Sequence, residues 1–279
     1  MSSPDPILEN RLKKAIEGEV LFDAFSRGRY STDASIYQIM PQGVVIPKSE
    51  ADLAAIVEIA HEEGLALLPR GGATSQSGQT VGDALVIDFS KYLRNVTAID
   101  PKAATCTVQP GIVLDQLNAQ LRQHGLWFPV DVSTASRATI GGMAGNNSCG
   151  TRSIRYGIMR DNVTAIDAIL PDGTPMRFDE VPHKLSGINT PSAVTDLTRD
   201  LLEIGRKRKK HISSAFPAVS RRVGGYLLDG LVPGDEPVNL AQILIGSEGT
   251  LAFSKSIDLK LSPLPVSKAL GVCHFPTFR

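Results

Sequence analysis

The 279-residue chain carries 42% apolar and 21% charged residues, and its 29 acidic side chains balance 29 basic ones. That is the make-up of a globular protein with a real core, and zero net charge removes bulk electrostatic attraction as a route to nucleic acid or an anionic membrane. Three cysteines, Cys106, Cys149 and Cys273, lie far apart in no CxxC pair, which argues against a disulfide framework, a zinc site or an iron–sulfur cluster within the chain. Reduced thiols, no run of about 18 apolar residues and no apolar signal core in MSSPDPILENRLKK predict a cytoplasmic chain with no membrane span.

In chain order, Pro6 to Glu17 reads as a short helix and Phe25 to Met40 as a loop of small and aromatic residues. Val44 to Pro47 is apolar and short enough for an edge strand. Ser49, with Asp52 three residues on, reads as the N-cap of a helix whose Leu53, Ile56, Val57 and Ala60 share a face and which Gly64 ends. Leu65 to Leu68 is a buried strand candidate. Short strands follow at Ala84 to Asp88, Val96 to Ile99 and Thr105 to Val108. Val113 to His124 is amphipathic, with Leu114, Leu117 and Leu121 on one side. Val163 to Leu170 and Thr174 to Phe178 form a hairpin around the turn signal PDG. Ala193 to Gly205 is a further helix, and Leu251 to Leu261 a long strand. The pattern predicts an α+β fold. The basic run Arg206 to Lys210 reads as a solvated helix end, and 5% aromatic content leaves few stacking partners for a nucleic acid.

Two segments carry the chemistry. RGGATSQSG (Arg70 to Gly78) follows a strand, is rich in glycine and hydroxyl residues and has almost no bulk. Glycine allows close backbone approach, and consecutive amides in such a turn converge on an anion, with a diphosphate as the natural guest. Thr74, Ser75 and Ser77 can add hydroxyls; Arg70 can supply charge or pair with a structural carboxylate. An ordinary surface turn is the alternative. SRATIGGMAGNNSCG (Ser136 to Gly150) is a second glycine-rich loop, with Asn146, Asn147 and Ser148 as hydrogen-bonding side chains. Two such loops suit a long, bent dinucleotide. GSEGTL (Gly246 to Leu251) is a tight turn entering a strand. There is no GxGxxG, P-loop or GxSxG motif. The five histidines, His61, His124, His183, His211 and His274, show no metal-ligand spacing.

The order PRGGATSQSG, QPGIVLDQL, TIGGMAGNNSCG, YGIMRDNV, GSEGTL resembles the FAD-linked oxidase family with the vanillyl-alcohol oxidase (p-cresol methylhydroxylase) type of FAD domain. Within it the chain is most similar to glycolate oxidase subunits, D-lactate dehydrogenases and D-2-hydroxyglutarate dehydrogenases. STDASIYQIMPQGVVIPKS also resembles long bacterial members with a C-terminal iron–sulfur region. The resemblance implies a two-lobed FAD-binding domain over 41–265, split near 100–110, after an N-terminal helix and lead-in over 1–40. It implies that 266–279 opens a substrate domain that is cut short, by truncation or in a split enzyme.

By the same resemblance, Arg70, Gly71, Gly72, Ala73, Thr74, Ser75, Gly78 and Gln79 bind the FAD diphosphate side. Ser136, Thr139, Ile140, Gly141, Gly142, Asn146, Asn147 and Gly150 line the flavin and ribityl side. Asp161, Val163, Glu248 and Gly249 lie at the adenine end or close the cofactor tunnel. Thr74 stands where covalent members often carry histidine, so FAD is expected to be noncovalent. Cys149 brings extra bulk to the NNSCG segment, and Leu227 replaces an asparagine of several relatives. No catalytic base is identified; the family's base, substrate arginine and metal site lie beyond this stretch, and no metal is expected in it. The implied reaction is oxidation of a D-2-hydroxy acid to the 2-oxo acid, with an electron acceptor or iron–sulfur partner. A homo-oligomer is compatible with this reading. The alternatives are a flavin electron-transfer subunit, as in molybdenum hydroxylases, and a non-catalytic nucleotide-binding module.

Overall fold

The computed structural model describes residues 5–182, 193–219, 221–267 and 269–277. The first third of the chain runs α1 (Pro6–Ala15), β1 (Glu19–Leu21), α2 (Ala24–Tyr30), β2 (Gly43–Ile46), α3 (Glu50–Glu63), β3 (Leu67–Arg70) and β4 (Leu85–Asp88). Asp5 caps α1 by accepting the amides of Ile7 and Leu8, and proline takes the first helical position. Ser49 caps α3 through its hydroxyl, which accepts the Asp52 amide at 3.1 Å, and Gly64 ends it at φ +64°. Leu8 and Leu12 of α1 join Leu53, Ile56 and Val57 of α3 in one core.

These strands form one sheet in the order β1-β2-β4-β3, antiparallel between β1 and β2 and parallel elsewhere. Helix α3 is the crossover from β2 to β3. The parallel neighbours β3 and β4 are joined by 71–84, which holds the glycine-rich loop instead of a helix. That loop leaves the sheet at the carboxyl end of β3, where open parallel sheets bind ligands.

The strand expected at the edge, Val44 to Pro47, is interior. β1 covers its outer side, and Val44 and Val45 are fully buried; a short run apolar on both faces fits a covered strand better than an edge. Within Phe25 to Met40, read as a loop, the chain stays helical to Tyr30 because Asp23 caps α2 by accepting the Ser26 amide at 2.9 Å. The buried strand expected at Leu65 to Leu68 forms two residues later and lies half-buried at the sheet edge.

The second lobe contains β5 (Val96–Asp100), β6 (Thr105–Val108), α4 (Leu114–Leu121), β7 (Leu126–Trp127), α5 (Ile140–Asn146), α6 (Ser153–Tyr156), α7 (Met159–Asn162), β8 (Val163–Ile169), β9 (Pro175–Phe178), β10 (Glu180–Val181), α8 (Ala193–Ala215), β11 (Val238–Asn239), α9 (Ala241–Leu244), β12 (Phe253–Lys260) and β13 (Ser262–Pro263). Its main sheet is antiparallel, in the order β5-β6-β12-β8-β9. The fold is thus α+β and two-lobed. The chain leaves the first sheet after Asp88 and enters the second at Val96, ahead of the 100–110 interval, because β5 and β6 are two arms of one hairpin. The lead-in also contributes β1 to the first sheet.

Helix α8 continues past Gly205 to Ala215. Gly205 does not stop it; a Cβ there would meet Leu231 O at 1.9 Å, so the glycine serves packing. The basic run 206–210 lies exposed on this helix, with Arg206 and Lys207 paired to Glu203. After Leu121 the helix α4 tightens into a 3₁₀ turn over Arg122–His124. The described residues 269–277, at the expected start of a substrate domain, pair with no sheet and leave Leu270 91% exposed. Cys106 is buried in β6, which pushes its thiol up to about 12 and keeps it protonated. Among the described residues no helix is long and apolar enough to cross a membrane.

Ile169 of β8 and Phe253 of β12 pack with Phe89 and Leu93 of the first lobe, so the two sheets meet at this corner. Ile257, in the central strand β12, is fully buried between β6 and β8. Ile257→Ala is expected to lower unfolding free energy by about 2–5 kcal/mol, measured by urea titration, with the slope unchanged.

Candidate functional site

The site grows from the end of β3. Arg70 turns its guanidinium back into the first lobe, donating to Tyr30 O at 3.1 Å, Thr80 O at 3.1 Å and Thr32 O at 2.7 Å. It also lies 5.2 Å over the Tyr30 ring. Of the two roles the sequence left open, supplying charge or pairing with a carboxylate, neither is its main one: it organises three carbonyls around the loop. Burial lowers its pKa, opposed by the nearby Asp88. Tyr30 donates to Asp88 Oδ2 at 2.6 Å, and burial with that bond holds the phenol well above its usual range.

Beyond Arg70 the backbone amides of Gly71, Gly72, Ala73, Thr74 and Ser75 have no acceptor among the described residues. Ala73 adopts φ +52°, and its carbonyl is fixed by the Ala34 amide at 3.2 Å. A left-handed residue inside a run of unpaired amides is the geometry of an anion-binding nest.

Gly71 and Gly72 face protein as well as cavity. A Cβ on Gly71 would meet Thr139 Oγ1 at 2.0 Å, and one on Gly72 would meet Arg137 O at 2.3 Å. The loop therefore packs tightly on the segment before α5, against the Thr139 side chain at Gly71 and the Arg137 carbonyl at Gly72. That second glycine-rich segment is a short capped helix rather than a loop. Thr139 is its N-cap, and Ile140 and Gly141 donate to Ile112 O at 2.9 Å and Pro110 O at 2.8 Å. Gly142 donates to Thr139 Oγ1 at 3.3 Å. With its first amides occupied, this segment supplies a wall, and the free donors are those of 71–75. Its glycines let it lie close: a Cβ on Gly141 would meet Pro110 Cβ at 2.6 Å.

Asn147 ends α5 at φ +51°, fully buried. Its amide donates to Arg222 O at 3.3 Å and its oxygen accepts the Arg160 amide at 3.2 Å. The turn after α9 closes the other side, with Gly246, Glu248 and Gly249 at φ +80°, +53° and +76°. Gly249 sits against Pro69, where a Cβ would come within 2.2 Å. Glu248 Oε1 accepts from Gln79 Nε2 at 3.2 Å and from Asn146 Nδ2 at 3.1 Å.

Together these segments enclose a cavity of about 490 Å³, within the range of small-molecule sites. Of the residues expected from sequence, Arg70, Gly71, Gly72, Ala73, Thr74, Ser75, Gln79, Thr139, Gly141, Gly142, Asn146, Asn147, Glu248 and Gly249 line it. Six others do not. Gly78 packs on Tyr37, Gly150 on Asp131, and Ile140 is buried in the core. Ser136 faces solvent, Val163 begins β8 in the core, and Asp161 accepts the Ile158 amide at 2.9 Å as a local cap. Leu227 is also in the core and off the wall. Sequence reasoning missed Val132, Ser133 and Thr134, which carry no glycine signal, and Phe253, which reads only as a strand residue. Cys149 does line the cavity, as its place in NNSCG implied. Arg70 and Glu248 are the charged lining residues, so the cavity is nearly neutral and rich in backbone donors.

Gly72→Ala is expected to lower the melting temperature of the cofactor-free protein by several degrees, since the Arg137 carbonyl must move. Gly71→Ala acts likewise, and Thr139→Ala in the same chain should restore part of the loss by removing the nearest atom. Calorimetry on the single and double variants checks both.

Residues 41–179 match the family model of the FAD binding domain. The chain is 33% identical to the D-2-hydroxyglutarate dehydrogenase of Pantoea ananatis, over 92% of this chain and 26% of that protein. The same enzyme of Pseudomonas putida is 34% identical, over 97% of this chain and 27% of its own length. The glycolate oxidase subunit of Bacillus subtilis is 30% identical, over 91% and 44%. The chain thus spans about a quarter of the length of the D-2-hydroxyglutarate dehydrogenases it matches. A solved alkyldihydroxyacetonephosphate synthase superposes with a TM-score of 0.68 at 19% identity, covering 96% of this chain and 42% of that one. Residues 41–179 thus match the FAD-binding domain family, and the chain shares the fold of that synthase.

Proposed function

We propose that this chain holds FAD noncovalently in the cavity between its lobes and serves the oxidation of a D-2-hydroxy acid to the 2-oxo acid. The observation that carries the cofactor half is the run of five backbone amides at 71–75 without acceptors, in a stretch that matches the FAD-binding family. A diphosphate supplies the missing acceptors, and a nest of amides binds it without a lysine or arginine. The hydroxyls of Thr74 and Ser75 add donors beside it.

Thr139, Gly141, Gly142, Asn146 and Asn147 form the opposite wall. Glu248 and Gly249 close the cavity at the turn into β12. Five of the six expected residues off the wall act through packing, Ile140 and Val163 from the core and Gly78, Gly150 and Asp161 by setting turns, while Ser136 faces solvent.

Thr74 occupies the position from which covalent relatives are expected to bond flavin, and a threonine offers no such bond. When bound, FAD supplies the hydride acceptor. The described cavity wall contains no histidine, lysine, aspartate or tyrosine, and its one carboxylate, Glu248, accepts from two side-chain amides, so the base that takes the hydroxyl proton is assigned to the part of the longer relatives that this chain does not span. The substrate class follows the relatives, which are named for 2-hydroxy acids. An electron acceptor or iron–sulfur partner in the cytoplasm would reoxidise the cofactor.

The visible spectrum of the purified protein, before and after acid precipitation, tests the cofactor half. Flavin bands released into the supernatant are expected. Flavin retained in the pellet overturns noncovalent binding, and no flavin even after added FAD overturns the cofactor. For the substrate, anaerobic bleaching of the full-length protein by one of D-2-hydroxyglutarate, D-lactate or glycolate is expected; bleaching by none rejects that half.

A further inference from the structure

We propose that Glu248 is a positioning residue, whose carboxylate clasps the three segments of the cavity wall and sets the width at which they grip FAD; this rests on the cofactor reading above. One oxygen, Oε1, takes the amide of Gln79 at 3.2 Å from the loop after β3 and the amide of Asn146 at 3.1 Å from the end of α5. The residues stand 169 and 102 positions from Glu248 in sequence. Among the described residues no other side chain in the cavity joins the 70–80 loop, α5 and the 246–249 turn at one atom.

The backbone repeats the arrangement. The Glu248 amide donates to Gly145 O at 3.0 Å, the Gly246 amide to Ala144 O at 3.0 Å, and Gly249 lies on Pro69 at the end of β3. The turn is therefore already fixed against α5 and against the strand before the glycine loop. The loop beyond that strand, with its free amides, gains its tie to the turn through Gln79.

A carboxylate accepts and never donates, so it fixes the orientation of both amides. Nε2 of Gln79 must face it, which turns Oε1 of Gln79 into the protein, where it is buried without a partner. Asn146 Oδ1 instead accepts from Ser148 Oγ at 3.1 Å. Glu248 itself is held at φ +53°, a region that favours glycine, between two glycines that also adopt it. Two unfavourable features thus coincide at one contact: a strained backbone and a buried unpaired oxygen. Such local costs concentrate where geometry serves a site. A carboxylate is also a poor neighbour for a diphosphate, so its place in a nearly neutral cavity calls for a role other than charge, and holding two amides is that role.

FAD titration of deflavinated protein, followed by flavin fluorescence and circular dichroism and paired with the melting temperature of each cofactor-free variant, tests this. Glu248→Ala should weaken FAD binding about tenfold and alter the flavin circular dichroism, as expected for two lost hydrogen bonds to a charged acceptor. Glu248→Gly also loses the clasp but relieves the backbone, so it should bind FAD as weakly as Glu248→Ala while melting at or above it. Glu248→Gln keeps an acceptor oxygen and should bind within about threefold of the native chain. Gln79→Ala should add little on top of Glu248→Ala, because the contact is already gone. Native binding and an unchanged flavin signal in Glu248→Ala overturn the clasp while leaving the cofactor reading intact. Failure of Glu248→Gln to restore binding also overturns it, leaving a purely structural residue. A native chain that takes up no FAD overturns the cofactor reading, and the clasp with it.

Discussion

The cavity is built where the backbone of the glycine loop approaches the segment before α5 more closely than a Cβ allows. Gly71 and Gly72 lie against Thr139 and Arg137 at distances that a Cβ would cut to 2.0 and 2.3 Å. From that contact the rest follows. The loop cannot extend a helix over the β3–β4 connection, so its amides stay unpaired. The segment it touches must present a small side chain and a carbonyl, and Thr139 serves at once as contact surface and N-cap of α5. Substituting either glycine thus perturbs the assembly of the wall before any ligand arrives, so loss of binding in such a variant does not by itself report on phosphate contact.

The electrostatics of the site follow from where the one arginine goes. Arg70 stands at the mouth of the loop, yet its donors serve Tyr30, Thr32 and Thr80 carbonyls. Its work is mechanical: it draws the 30–33 and 80 backbones toward β3 and thereby shapes the turn. Under the cofactor reading proposed above, a diphosphate would meet aligned peptide dipoles, which need no counter-charge and little reorganisation on binding. A guanidinium aimed into the same space would have needed desolvation and a carboxylate to hold it. The nearly neutral wall is consistent with that choice.

Much of this was legible in the residues. Capped helices announced themselves: Ser49 with Gly64 delimit α3 as read, since capping depends on local chemistry alone. The glycine loop was legible because its order of small residues has no use in a core. What escaped depends on distant partners. Val44 and Val45 look the same at an edge as in the middle of a sheet until β1 is placed beside them. Gly205 reads as a helix end, but Leu231 across the packing interface is what demands it. The TIGG segment reads as a glycine-rich loop, yet carbonyls of Pro110 and Ile112 accept its first amides and it forms a short helix. Val132 to Thr134 reach the wall only because the chain before α5 is folded back by its turn. Asp161, placed near the cofactor by motif order, instead caps its own short helix.

Backbone strain supplies an independent marker of where the function lies. Four residues other than glycine adopt positive φ among those described: Ala73, Ala104, Asn147 and Glu248. Three of the four line the cavity, one from each of its three segments; the other, Ala104, lies in the β5–β6 turn. Glycine at Ala73 or Glu248 would satisfy the backbone with less strain, so the side chains there must do something that glycine cannot. For Asn147 the side chain bridges Arg222 and Arg160, and for Glu248 it joins two amides. Ala73 makes no such bond, but a methyl group narrows the range of a loop that glycine would leave free, which holds its unpaired amides in one alignment. The strained positions and the unpaired amides therefore describe one property: a wall held in a shape that its own local preferences do not favour, kept there by contacts from both lobes, with backbone donors that the protein itself leaves unpaired.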